Sequence, residues 1–251
     1  MRILAIDTAT ESCSAALWID GVVSAREKRL ERGHAAHILL MVDELLREAA
    51  TTLGALGAVG FGRGPGAFTG VRLAASVAQG FAFGAGLPVV PVSDLRALAQ
   101  RALAAQPEAV RVLACTDARM HEVYWACFAR DADGLARPVG EEHVSPPGAV
   151  RIPEVWQPES PVPTPASAQP LVAAQRYAAV CGAGAGFAAY PELRGLLGAT
   201  AATVLEDLLP RAHEVAHLAA AEVLAGRVLP PDQALPVYLR DDVTRPRPGT
   251  S

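Results

Sequence analysis

Gly62-Arg63-Gly64-Pro65-Gly66-Ala67-Phe68-Thr69-Gly70-Val71-Arg72 decides how this chain folds. The short apolar run 58–61 in front of it has the length of a buried strand, and residues 69–84 behind it read as a helix of small residues. Strand, glycines and helix N-terminus in that order build an α/β connection, and they also offer backbone N–H groups to an anion. Two readings stay open. The glycines let backbones pack closely, or they contact a phosphate or other ligand. A Walker A loop needs G-x-x-x-x-G-K-[ST]. Here Ala67 replaces the second glycine and Phe68 replaces the lysine. Lys28 is the one lysine in the chain and lies far upstream, so a P-loop nucleotidase is excluded. Gly62-x-Gly64-x-x-Ala67 is a degenerate dinucleotide fingerprint, but the acidic residue expected roughly 20 positions on is missing.

Upstream, residues 2–8 read as a buried strand that ends in Asp7-Thr8-Ala9-Thr10. Residues 12–19 form a second strand, Asp20-Gly21 is a hairpin turn, and 22–28 return. Gly33 and His34 open a helix to about residue 50 with apolar residues on more than one stripe. A surface helix needs only one apolar face, so a second one implies a partner. Downstream, strand 88–92 leads into helix 93–105. The order β-β-β-α-β-α-β-α is an α/β unit, and Pro107 marks its end. Strands 110–116 and 122–129 then flank a loop at 117–121. Residues 158–170 are Pro/Ser/Ala-rich, and a strand near 180 runs into a Gly-rich turn. A helix follows at 208–224 with Pro210 near its start, then an extended piece at 236–240. The expected division is 1–106, joined by helix 208–225, then 107–207, then a tail at 226–251.

Composition narrows the function. The chain has 251 residues, 51% hydrophobic and 19% charged, with mean hydropathy +0.24. That is enough apolar surface to fold. A net charge of −4 leaves no strongly basic footprint for binding nucleic acid alone. Cys13, Cys115, Cys127 and Cys181 form no C-x-x-C pair, which fits reduced thiols in a cytoplasmic protein. Asp7 interrupts the N-terminal apolar run too early for a signal peptide. Residues 73–93 are uncharged but broken by Gly86 and Pro88, so a helix followed by a strand fits better than a membrane span.

Several residue groups carry candidate chemistry. Asp7-Thr8-Ala9-Thr10 places a carboxylate and hydroxyls at a strand end, suited to a hydrated magnesium or phosphate, or to a simple Asx turn. His213-Glu214-Val215-Ala216-His217 is a literal H-E-x-x-H, the pattern of a zinc metallopeptidase. Its third ligand is not evident: no histidine follows His217, Glu222 is too close, and Asp232, Asp241 and Asp242 fit no pattern. Solvated helix histidines explain it as well. His34 and His37 read as capping or surface groups. Asp117 and Arg119 form a salt bridge or face a cleft.

Residues 3–10 (Ile3-Leu4-Ala5-Ile6-Asp7-Thr8-Ala9-Thr10), the block Gly64-Pro65-Gly66-Ala67-Phe68-Thr69-Gly70-Val71-Arg72, Asp117-Ala118-Arg119 with Glu122-Val123-Tyr124, and Tyr238-Leu239-Arg240 resemble the TsaB family in order and spacing. The resemblance implies an actin/Hsp70/sugar-kinase-like (ASKHA) α/β fold with two related subdomains facing across a cleft. It implies a non-catalytic subunit that stabilises TsaD in the complex that modifies tRNA with threonylcarbamoyladenosine. TsaE is a further partner. The chain is expected to dimerise when alone and to meet tRNA only through the complex. It needs no cofactor and keeps at most weak or vestigial ATP or ADP binding. Asp7, Thr8, Gly64 and Gly66 would line that degenerate nucleotide cleft. An actin-like phosphate loop reads D-x-G-[TS], and here Ala9 stands at the glycine. The H-x-x-x-H of TsaD-like chains is also absent. That region reads Val92-Ser93-Asp94-Leu95-Arg96-Ala97-Leu98, where Asp94 and Leu98 fall near the histidine positions and Leu98 has no ligand atom. The partner interface is expected on the helices near 34–50 and 69–84, at Leu39, Leu40, Leu46, Ala74, Ala78 and Phe81. The alternatives are the zinc metallopeptidase and an independent ASKHA-type ATPase.

Overall fold

Strand β1 (Arg2–Asp7) is apolar on both sides, so it must be covered on both faces. It sits at the centre of a five-stranded sheet of order β3-β2-β1-β4-β5. Strands β2 (Ser12–Ile19) and β3 (Val22–Arg29) complete an antiparallel meander with it. Asp20 and Gly21 both have positive φ, 47° and 99°, as a tight hairpin turn demands. Charged Arg26, Glu27, Lys28 and Arg29 line edge strand β3, which discourages pairing with another chain. Strands β4 (Ala58–Gly62) and β5 (Val89–Val92) continue the sheet on the other side of β1, each parallel to its neighbour. The structure is a computed structural model that describes residues 1–156, 180–197 and 203–240. The Pro-rich stretch 158–170 and the end of the tail, with Asp241 and Asp242, lie outside those residues.

Helices α1 (His34–Glu48) and α2 (Phe68–Ala85) cover one face of this sheet. On α1 the inner stripe is Ile38, Met41, Val42 and Leu45, all buried. Leu39 and Leu40 point the other way and are 51% and 59% exposed. The second apolar face inferred for α1 is therefore real, and no described residue covers it. On α2 the inner stripe is Val71, Ala74, Ala75, Ala78 and Ala82. This corrects two interface residues. Ala74 and Ala78 are fully buried against the sheet, because helical periodicity places them with Val71 and Ala82. Leu46 and Phe81 are half-buried against the same core. Phe68 and Phe83 on α2 face outward, Phe83 80% exposed.

A second sheet has the order β11-β10-β6-β7-β8, with β9 also beside β7. Its strands are β6 (Arg111–Arg119), β7 (Glu122–Arg130), β8 (Ala136–Pro138), β9 (His143–Ser145), β10 (Val180–Ala183) and β11 (Val204–Leu205). Read from β8, the path is that of the first sheet: an antiparallel meander, then two parallel strands beside its first member. Helix α3 (Asp94–Ala105) leaves the first sheet and packs on the second, through Leu95, Leu98, Ala99, Ala102 and Leu103. A short helix, α4 (Gly186–Ala189), follows β10, and α5 (Ala212–Leu224) closes the described helices. Helix α5 packs back on the first sheet through Val215, Ala216 and Ala219, on the face opposite α1 and α2. The two sheets thus exchange helices, and Arg96 on α3 pairs with Glu222 on α5 at 2.8 Å.

The sequence differs from the structure in three places. The expected loop 117–121 is a two-residue turn, Met120-His121, between longer strands; Arg119, Met120 and His121 all adopt positive φ. Helix α5 starts at Ala212, after Pro210, because proline disfavours helix in the residue before it. Strands β8, β9 and β11 are two or three residues long and leave no periodic signal. Among the described residues no helix is long and apolar enough to cross a membrane. The uncharged 73–93 stretch divides at Gly86 into the end of α2 and β5.

The two faces of α1 make a paired prediction. Leu45→Ala, on the inner stripe, should cost about 2–5 kcal/mol of stability. Leu40→Ala, on the outer stripe, should stay within about 0.5 kcal/mol in the isolated chain. Urea unfolding of both variants measures the difference.

Candidate functional site

The expected nucleotide cleft lies where β1, β4 and α2 meet. Asp7 and Thr8 end β1, and both are buried, 0% and 1% exposed. What buries them is the chain itself. The Thr8 hydroxyl donates to the Gly70 carbonyl at 2.7 Å, and the Ala67 N–H donates to the Ala9 carbonyl at 2.7 Å. A Cβ on Gly70 would lie 2.0 Å from the Thr8 carbonyl oxygen, and one on Gly66 2.5 Å from that of Ala9. No side chain fits at either position. The Gly-Pro-Gly block is thus a backbone-packing device seated on the Asp7–Thr10 turn. Asp7, Thr8, Gly64 and Gly66, expected to line a nucleotide cleft, lie in this packed seam, where the Asp7 carboxylate accepts the Ala9 N–H and the Thr8 hydroxyl meets the Gly70 carbonyl. Gly64 is buried as well, with its N–H given to Asp94 and its carbonyl accepting the Asp94 N–H at 3.0 Å.

Asp94 is the residue this site adds. It stands in the first turn of α3 behind the cap Ser93, whose hydroxyl accepts the Arg96 N–H. The side chain is 2% exposed and turned toward Asp7 across Gly62. Burial pushes the Asp7 carboxyl up to about 6 and the Asp94 carboxyl well above the usual carboxylate range. An aspartate in the apolar run Val92-Ser93-Asp94-Leu95 was the available signal, and it was read as the trace of a lost metal site.

Residues 235–240 bridge the two lobes at the rim. The Val237 N–H donates to the Arg63 carbonyl at 2.7 Å on the first lobe. On the second, the Arg240 guanidinium binds the Ala118 carbonyl at 3.2 Å, the Met120 sulfur at 3.5 Å and the Glu122 carboxylate. Arg63 also pairs with Glu142 at 3.0 Å. Tyr238 and Phe68 flank Arg72, whose guanidinium carbon lies 3.2 Å from the Phe68 ring centre and 4.8 Å from that of Tyr238. Asp117 and Arg119 form the structural alternative read from the sequence, a salt bridge at 3.0 Å. The blocks at 64–72, 117–124 and 238–240 therefore meet at one place.

Known proteins similar in sequence and structure place this chain in a family. The family model described as TsaD, tRNA N6-adenosine threonylcarbamoyltransferase, matches residues 23–241. The tRNA threonylcarbamoyladenosine biosynthesis protein TsaB of Escherichia coli K12 is 40% identical over 97% of this chain and 96% of its own. This chain belongs to the TsaB family. The TsaB of Haemophilus influenzae is 47% identical over 52% of this chain and 55% of its own. Among solved structures, YeaZ from Pseudomonas aeruginosa superposes with a TM-score of 0.80 and 41% identity, over 95% of this chain and 99% of that one. The fold is the expected ASKHA-type α/β arrangement of two sheets.

Within this TsaB-family chain the H-E-x-x-H motif has another use. Glu214 is 3% exposed and held by Arg211 through two bonds, 2.8 and 2.9 Å, while His213 Nδ1 lies 3.1 Å from it. Burial alone would raise its pKa, but His213 and Arg211 outweigh that and hold it below the usual value. A carboxylate so engaged is no free base for a metallopeptidase. His217 is exposed on the far side of the helix. Among the described residues no group of three His, Cys, Asp or Glu side chains could hold a metal ion. His34 is neither a cap nor a free surface group: its Nε2 lies 2.9 Å from the Thr10 carbonyl. All four cysteines are buried with thiols pushed up by burial, which keeps them protonated and unreactive at neutral pH.

Thr8→Val keeps the shape at the seam and removes its hydroxyl. The variant should lose about 0.5–1.5 kcal/mol, the net worth of the hydrogen bond to the Gly70 carbonyl. Urea denaturation at neutral pH reads this out. His217→Ala should leave stability within about 0.5 kcal/mol.

Proposed function

We propose that this chain is a non-catalytic subunit that binds and stabilises a TsaD subunit for threonylcarbamoyladenosine formation on tRNA. The observation that carries the proposal is the filled cleft. In a fold of this kind the end of β1 is where phosphate would sit, and here the 66–70 backbone packs tightly against residues 8 and 9 at that end. Chemistry on a nucleotide then belongs to another chain, and this one works without a cofactor of its own. The biosynthetic role in the names of its TsaB relatives supplies the pathway. Leu39 and Leu40 on α1 and Phe83 on α2 supply an uncovered apolar surface, of the sort that marks a protein contact. TsaD takes that surface in the complex, and a second copy takes it when the chain is alone. TsaE joins the assembly, tRNA is met only there, and the setting is the cytoplasm.

Co-purification with TsaD from the same organism tests this. The wild-type chain should retain TsaD. A Leu39→Glu/Leu40→Glu double variant should lose at least about 2 kcal/mol of binding while its circular dichroism stays unchanged. A wild-type chain that never retains TsaD, or a double variant that binds equally well, would overturn the proposal. Calorimetry with ATP and magnesium should give no binding heat from the isolated chain.

A further inference from the structure

The Asp7 and Asp94 carboxyls each have one oxygen accounted for. Asp7 Oδ1 accepts the Ala9 N–H at 2.8 Å, and Asp94 Oδ2 accepts the Gly64 N–H. Their second oxygens, Asp7 Oδ2 and Asp94 Oδ1, are buried and receive no hydrogen bond from another donor among the described residues. Both carboxyls crowd over Gly62. A Cβ there would lie 2.5 Å from Asp94 Oδ1 and 3.2 Å from Asp7 Cγ. Two ionised carboxylates cannot share such a place, but a carboxylic acid and a carboxylate can, joined by one proton.

We propose that Asp7 and Asp94 are a proton-sharing latch, holding together the end of β1, the 62–64 backbone and the start of α3, and that loss of the shared proton releases the latch. Each half of the pair grips a different loop: Asp7 the Thr8–Thr10 turn through Ala9, and Asp94 the Gly-Pro-Gly block through Gly64. Releasing it frees the seam that fills the cleft.

The surroundings favour keeping the proton. Helix α5 contributes Glu214, paired with Arg211 and in contact with His213. Strand β3 contributes Glu27, paired with Arg101 of α3 and with Arg211, and Lys28 beyond it. Strand β2 contributes the neutral Cys13 thiol and Ser14. Arg63 follows β4 and favours the ionised form of Asp94, but its guanidinium is engaged by Glu142. The residual field from Glu214 and Glu27 on Asp7 opposes ionisation.

The pH dependence follows. An unfolded aspartate titrates near ~3.9. A carboxyl whose folded value is higher stabilises the fold fully below the unfolded value, and that contribution is lost as pH rises towards the folded one. Burial raises both carboxyls, so the pair keeps its one shared proton where an unfolded aspartate has lost it, and that contribution is lost from just below pH 4 upward.

Asp94→Asn is the test, because its amide donates to Asp7 permanently. The folding equilibrium constant of the variant relative to wild type should rise about tenfold per pH unit between roughly pH 4 and 6. Amide protection at Ala9 and Gly64 should fall with pH in the wild type and hold in the variant. Parallel stability curves for the two proteins would overturn the proposal. In the wild type, carboxyl-carbon NMR should show one coupled pair titrating at or above pH 6. Two independent titrations near pH 4 would overturn it whether or not the variant folds.

Discussion

Thr8 and Gly70 approach each other more closely than any side chain would allow, and the cleft of this protein depends on that contact. It fixes the register of the Gly-Pro-Gly block on the Asp7–Thr10 turn, and so the start of α2. The start of α2 in turn sets which residues of that helix face the sheet and which face out. The same contact converts the end of β1 from a binding edge into a buried joint. Asp7 becomes an interior carboxyl that needs a companion, and Asp94 at the head of α3 is that companion. The rim segment 235–240 is anchored to the same place through Arg63.

The sequence made much of this legible and misread one part of it for a physical reason. The meander, the Asp-Gly hairpin and the strand–glycine–helix connection are local features written in turn residues and periodicity. The family's blocks are legible because they are short and contiguous. What they do together is not, because packing between distant segments leaves no local mark. Gly66 and Gly70 look alike whether a phosphate or a carbonyl lies against them, and only the position of Thr8 and Ala9 decides. Ala74 and Ala78 were taken for a contact surface because small residues suit close helix approach. They do approach closely, but to the chain's own sheet. The sequence shows that α1 carries more apolar residues than one stripe can bury, and the structure shows which ones are in excess, Leu39 and Leu40. Phe83 is not legible as a surface residue because it lies two positions from Phe81, and only the packing shows that Phe81 turns to the core and Phe83 away from it.

The H-E-x-x-H motif shows the same limit from the other side. Its spacing puts His213 and His217 on one side of a helix, and in α5 that side is the solvent-facing one. Glu214, between them, faces inward and meets Arg211. The residues sit as the helical repeat requires. Their chemistry follows from the neighbours: Arg211 and His213 engage Glu214 directly, and Glu27 of strand β3 engages Arg211 in turn.

The exchange of helices between the sheets bears on how this chain can be divided. Helix α3 belongs by sequence to the first sheet and by packing to the second, while α5 does the reverse. A cut near residue 106 would strip α5 from β1 and β4 and expose Ile3, Ala5 and Ala58. It would equally leave Val112, Ala114 and Phe128 without α3. Neither half carries a complete interior, so the halves cannot be inherited, expressed or shuffled as independent modules. Two units with matching topology have become a single cooperative body, tied at its waist by Arg96 and Glu222.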